Sequence, residues 1–173
     1  MNLYLRFLLL LISMPFLKKS KDLKWMEPFR VWPQDIDINL HLTNARYFSF
    51  ADLARTYALA RFGILRQMVK KGWLPVVNAE EITFFRPIAP FARLELRTEL
   101  VYWDEKYFYM QHEYWSKGKI CAKALIRGVF YNKKHGVISL DRVLALAGIT
   151  DLHFEEPDTV HTWKAHLNEK KKG

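Results

Sequence analysis

Asp37, Asn39 and His41 stand at alternate positions in the segment from Asp35 to Tyr47, which reads Asp-Ile-Asp-Ile-Asn-Leu-His-Leu-Thr-Asn-Ala-Arg-Tyr. A carboxylate, an amide and an imidazole are groups that accept a proton, hold a water or attack a carbonyl. In an extended conformation all three would project to one side, with Ile38 and Leu40 on the other. Thr43 and Asn44 come next, and both are residue types that open helices. A helix start carries unpaired N–H groups and positive potential, which would polarise a carbonyl or hold an oxyanion. Base, orienting groups and oxyanion site would then share one short stretch. Each residue also has an ordinary use: Asp37 and Asn39 in turns, His41 as a packed imidazole, Asn44 as a cap, Tyr47 in the core.

The scaffold around this segment follows from period and punctuation. Trp25 to Trp32 reads as a short strand with Phe29 and Val31 on one face, ended by Pro33. From Asn44 to Phe62 the period is helical: Tyr47, Phe50, Ala51, Ala54 and Ala58 share a face, and Arg46, Ser49, Asp52, Arg55 and Thr56 occupy the opposite side. Such a helix is about 27 Å long, and its alanines let strands approach closely. Gly63 closes it, and a second short helix is expected from Ile64 to Lys71 before Gly72.

The period then changes to two. Leu74 to Arg86 is a strand, and Arg86-Pro87-Ile88-Ala89-Pro90 breaks it. Arg93 to Trp103 alternates, with Leu94, Leu96, Thr98, Leu100 and Tyr102 on one face. Tyr107 to Trp115 and Ile120 to Tyr131 continue an antiparallel meander through tight turns. Ser139 starts a short helix to Ala147, and Pro157 to Leu167 adds another. The outline is α+β: one long central helix wrapped by a curved antiparallel sheet of about five strands. Such a sheet leaves an edge strand in need of a partner, which a second copy would supply, so a homodimer is expected.

A chain of 173 residues, half of them hydrophobic and 15% aromatic, has enough apolar material for one buried core. Twenty-seven Lys and Arg against 18 Asp and Glu give a net charge of +9. No nucleic-acid motif accompanies that charge, part of which sits in solvated runs at the two ends, so no nucleic-acid partner is expected. The single Cys121 forms no intramolecular disulfide and belongs to no Cys/His cluster, which suits a reducing compartment.

The first 17 residues form an apolar run broken by Arg6 and succeeded by Lys18, Lys19 and Lys21. The run is shorter than the roughly 20 residues of a spanning helix. It reads as an interfacial membrane anchor with lysines facing anionic headgroups, or as a helix packed on the protein itself. The expected organisation is an anchor or packed helix over 1–20, the folded domain over 21–168 and a basic tail over 169–173. The expected location is cytoplasmic, at or on a membrane surface, with a signal-anchored or secreted protein as the alternative.

The order strand, Asp-x-Asp-x-x-x-His-x-x-Asn-x-x-Tyr, long helix and meander resembles the hotdog-fold thioesterases of the 4-hydroxybenzoyl-CoA thioesterase type. Asp35, Asp37, His41, Asn44 and Tyr47 carry that motif. Leu40 to Tyr47, Ala-Asp-Leu-Ala-Arg at 51 to 55 and Tyr102 to Tyr109 are similar to the member-six-like proteins of the thioesterase superfamily. The spacing of Asp37, Asn39 and His41 also resembles that of plant acyl-carrier-protein thioesterases. The resemblance implies hydrolysis of a fatty acyl-CoA or acyl-carrier thioester, with Asp37 as base or nucleophile and His41 and Asn39 orienting the reacting groups. Thr43, Asn44 and Tyr47 would bind substrate, and Asp35 would be structural. No metal or cofactor is implied, coenzyme A entering only as part of the substrate.

A face around Phe48, Phe84, Leu96 and Phe108 would line an acyl tunnel or pack as ordinary core. Glu80 or Glu81 would approach the Asp37 site from a facing subunit, or serve only as one solvated and one paired carboxylate. Two positions depart from the family pattern: Leu40 stands where many relatives have Gly, and Thr43 where they have Asn. A bulky Leu40 would narrow the pocket or turn the backbone N–H groups. The alternative is therefore a catalytically weak, membrane-associated acyl-lipid binding protein of the same fold. The dehydratase branch is disfavoured, because no Phe-Pro-Gly-x-Pro-like segment is present.

Overall fold

The computed structural model describes residues 3–150 and 152–170. Helix α1 (Leu3–Ser13) leads through a short 3-10 turn and an extended stretch to strand β1 (Lys24–Arg30). In β1 the alternation turns Trp25, Glu27 and Phe29 inward and leaves Met26 and Pro28 outward. The strand stops one residue before Val31, and Pro33 opens a 3-10 turn over Pro33–Asp35. Helix α2 (Asn44–Arg61) comes next, then α3 (Leu65–Lys71), which ends on Gly72 in the left-handed conformation.

Four long strands succeed the helices: β2 (Trp73–Phe84), β3 (Arg93–Trp103), β4 (Phe108–Ser116) and β5 (Lys119–Asn132). A short β6 (Gly136–Ile138), not anticipated from the sequence, pairs with the end of β5. Helices α4 (Leu140–Ala145) and α5 (Asp158–Glu169) complete the chain. The basic tail expected at 169–173 starts where α5 ends, and residues 171–173 lie outside the described residues. The sheet is antiparallel throughout, in the order β1-β3-β4-β5-β2.

The sheet curls over one face of α2. Tyr47, Phe50, Leu53 and Ala54 of the helix pack with Leu94, Leu96, Tyr114 and Ala122 of the strands. Ala51, Ala54 and Ala58 on the helix and Ala122 and Ala124 on β5 are all buried, so small side chains meet where helix and sheet approach. Fully burying a side chain such as Phe50 or Leu96 is worth about 1.5–3 kcal/mol. Farther along, a second cluster under α4 gathers Ile64, Met68, Phe108, Ile126 and Phe130. The Phe108 ring lies against β5 at Gly128, where an added Cβ would come within 2.2 Å of it.

One face assignment fails. The alternation of β3 holds from Leu94 to Leu100, but a bulge between Leu100 and Tyr102 inserts Val101 as an extra residue. Tyr102 is thereby turned to the outer face, where it packs with Tyr109 and Trp163 beneath α5. A one-residue slip reverses every later side chain.

Candidate active site

Asp35 is the fixed point of the segment. Its carboxylate is 1% exposed, accepts the Trp32 N–H at 2.9 Å and is ion-paired with Arg6 of α1 and with Arg46 Nε at 3.4 Å. Its backbone oxygen accepts the Thr43 N–H at 3.0 Å. One aspartate thus ties the chain before the turn to the chain at the start of α2.

Between these ties the backbone is not extended. Ile36 and Leu42 form a single antiparallel bridge, the Asp37 N–H donates to His41 O at 2.9 Å, and the Leu40 N–H donates to Asp37 O at 3.1 Å. The chain reverses through Leu40, whose φ is +59°. The alternation that would have put Asp37, Asn39 and His41 on one side is therefore broken. Asn39 and His41 are exposed, and Ile38 and Leu40 stand out at the tip, 97% and 65% exposed. Leu40 occupies the left-handed region that favours glycine. A left-handed conformation costs an L-residue about 1–2 kcal/mol, partly offset by glycine's larger entropy loss. Leu40→Gly is expected to raise stability by about 0.5–1 kcal/mol, read as a higher urea midpoint at unchanged slope.

The turn organises Asp37 closely. Its Oδ1 accepts the Asn39 N–H at 2.9 Å and, at the limit of hydrogen-bond length, the His41 N–H at 3.5 Å. Oδ2 accepts no hydrogen bond among the described residues, and the residue is half-buried. A carboxylate with one oxygen held and the other open is oriented without being spent. Asn39 contributes its backbone N–H to this arrangement rather than its amide.

Beyond the turn, Thr43 rather than Asn44 is the N-cap of α2, and no side chain caps the first turn. The Arg46 N–H is taken by Thr43 O at 2.9 Å, which leaves those of Asn44 and Ala45, with no acceptor among the described residues, open to an incoming oxygen. Asn44 is the exposed first residue of the helix. Tyr47 is core: it meets Phe84 and Tyr114 edge to face, takes the Tyr114 hydroxyl on its backbone oxygen at 2.9 Å, and burial pushes its phenol up to about 12. The four residues expected to line a tunnel separate, with Leu96 and Phe108 in two different core clusters and only Phe48 and Phe84 reaching the surface.

A polar cluster under α2 was not visible in the sequence. Arg55, assigned to the solvated side of the helix, instead runs inward: it pairs with Asp52, lies 3.5 Å from Glu80 and donates to His112 Nε2 at 3.0 Å. Glu81 is exposed. An arginine only donates, so Nε2 is the lone-pair nitrogen and Nδ1–H donates to Thr98 Oγ1 at 2.8 Å. His112 is wholly buried, and burial first, then Arg55, hold its pKa well below the usual histidine range. It is neutral in the fold and charges on unfolding. Its contribution is present in full above the unfolded value near 6.5 and is lost as the pH falls below it. Stability is expected to drop by up to about 1.4 kcal/mol per pH unit below 6.5 from this group. Urea titrations at descending pH check this, with His112→Gln flattening the dependence by one proton.

The chain matches the family model of the thioesterase-like superfamily over residues 31–160. It is 35% identical over 106 residues to protein THEM6 of Danio rerio, covering 57% of this chain and 52% of that protein. It is 33% identical over 84 residues to protein THEM6 of Xenopus laevis, covering 49% and 41%. The chain thus spans about half the length of the curated relatives it matches, or less. A gentisyl-coenzyme A thioesterase superposes with a TM-score of 0.64 at 19% identity, over 72% of this chain and 100% of that one. A 1,4-dihydroxy-2-naphthoyl-CoA thioesterase from Synechocystis gives 0.64 at 16% identity, over 72% and 94%. At these identities the likeness establishes the shared hotdog fold.

Proposed function

Because the chain belongs to the thioesterase-like superfamily, we propose that it hydrolyses an acyl thioester carried by coenzyme A or an acyl-carrier protein, with a fatty acyl group as the acid part. The observation that carries this reading is the state of Asp37: Oδ1 fixed by the Asn39 N–H, Oδ2 open, and the uncapped start of α2 a few residues away. The helix start polarises the thioester carbonyl. Asp37 takes a proton from water as the water oxygen bonds to the carbonyl carbon, and as the C–S bond breaks it returns that proton to the departing sulfur, releasing the thiol and the free acid. His41, at the base of the same turn, orients the water or the leaving sulfur. Release of free thiol from a panel of acyl-CoA substrates of increasing chain length, by the wild type and by Asp37→Asn, tests the proposal.

The catalytically weak binding protein is the second reading, favoured by one observation: Ile38 and Leu40 present apolar side chains at the tip of the turn. Saturable binding of acyl-CoA without thiol release would select it.

A second copy is the proposed partner. The outer edge of β2 has no strand beside it among the described residues, whereas the opposite edge, β1, is shorter and carries Pro28. Light scattering is expected to return twice the chain mass, and a strict monomer at micromolar concentration would remove the pairing.

A further inference from the structure

We propose that the outward face of α1 docks on an anionic lipid surface, lying in its plane, while the Arg6–Asp35 ion pair holds the candidate active-site turn in a fixed relation to that surface. The docking does not rest on the hydrolase reading. Its consequence does: an acyl thioester would be met at the bilayer rather than in bulk water.

Helix α1 has 11 residues, so at the usual rise it is about 16 Å long, roughly half the hydrocarbon thickness of a bilayer. No helix among the described residues is long and apolar enough to cross a membrane. Between Leu3 and Leu17 the one charged side chain is Arg6. It is turned inward, donates to Arg30 O at 3.1 Å, pairs with Asp35 and lies 4.5 Å over the Phe50 ring. Leu10, one turn on, is fully buried and Leu3 packs against the core, so the helix is seated through these three positions. The rest of its surface is apolar: Tyr4, Leu8, Leu11, Ile12 and, past its end, Phe16 are all exposed.

A contiguous exposed apolar strip of this kind marks an interaction site. The neighbouring charge decides the chemistry of its partner. Lys18, Lys19 and Lys21 are exposed directly after the apolar stretch, with Lys21 leaning on Gly148 O. An apolar face beside a cluster of lysines matches acyl chains beneath anionic headgroups, and a helix too short to span lies along the interface. Asp35, two residues from Asp37, is the residue through which Arg6 of α1 is tied to the turn, so docking orients the turn as well as the helix.

Flotation of the full chain with phosphatidylcholine vesicles containing about 30 mol% phosphatidylserine tests this, pure phosphatidylcholine serving as the comparison. The wild type is expected to float with the anionic vesicles and to bind the neutral ones about tenfold more weakly. The double substitution Leu8→Glu and Ile12→Glu, both at exposed positions, is expected to weaken flotation at least tenfold without lowering the melting temperature. Folded wild type that stays at the bottom of both gradients overturns the proposal, as does a variant that floats equally well. A wild-type oligomer that the double substitution converts to a smaller species, with no vesicle binding by either, also overturns it and assigns the face to a second copy. Thiol release from a water-soluble short-chain acyl-CoA, measured on the same preparations, reports on the hydrolase reading alone, so either can fail without the other.

Discussion

Asp37→Asn is expected to lower the rate of thiol release from the best acyl-CoA substrate by about 10²–10⁴-fold, the usual contribution of a positioned base. The substitution keeps the side-chain oxygen that accepts the Asn39 N–H, so the turn is preserved. It replaces the open Oδ2 by an amide nitrogen, which can neither take a proton from water nor attack a carbonyl. The effect therefore falls on kcat, with KM and melting temperature close to those of the wild type. Equal rates for the two proteins would show that Asp37 is only a turn residue and would leave the binding reading in possession of the site. Steady-state thiol release, with circular dichroism as the control for folding, separates these results.

The largest effect on stability is expected at Asp35. Asp35→Leu removes the partner of a buried guanidinium, and breaking a buried pair from one side costs about 3–5 kcal/mol. Arg46 gives no relief, since it is a second cation facing the same carboxylate. The loss extends beyond charge, because the Trp32 N–H also loses its acceptor. Arg6→Leu together with Asp35→Leu is expected to cost less than the sum of the two single changes, the signature of direct coupling. Urea unfolding of the four proteins measures it, and strict additivity would show that α1 is a separately attached segment.

These two aspartates show what could be read from the residues and what could not. Their location beside a helix start was legible, because helix α2 and the strands of the meander obey simple periods and their bounds fall within a residue or two of expectation. The geometry between them was not. Alternation assumes extended backbone, and a single left-handed residue, Leu40, ends it. The same limit explains Tyr102, displaced by one extra residue at Val101. Neither a positive φ nor a bulge leaves a signature when the residue concerned is an ordinary aliphatic.

The polar contacts were hidden for another reason. Arg6 and Asp35 are 29 residues apart, and Arg55 and His112 are 57 apart. No local pattern links such pairs. An arginine on a helix is assigned to solvent by default, yet Arg55 is almost wholly covered and joins the helix to three strands through Glu80, His112 and, by way of His112, Thr98. Glu27 is a similar case: it is buried on β1 beside Arg61 at 2.9 Å, and burial raises its pKa.

The extra residue at Val101 divides β3 into two stretches of opposite parity. Upstream of it, the inward Leu94 and Leu96 answer to α2. Just downstream, Tyr102 answers to α5 across the sheet. The two halves of one strand thus pack against different covers, so a substitution beneath the C-terminal helix is expected to leave intact the alternation that seats α2.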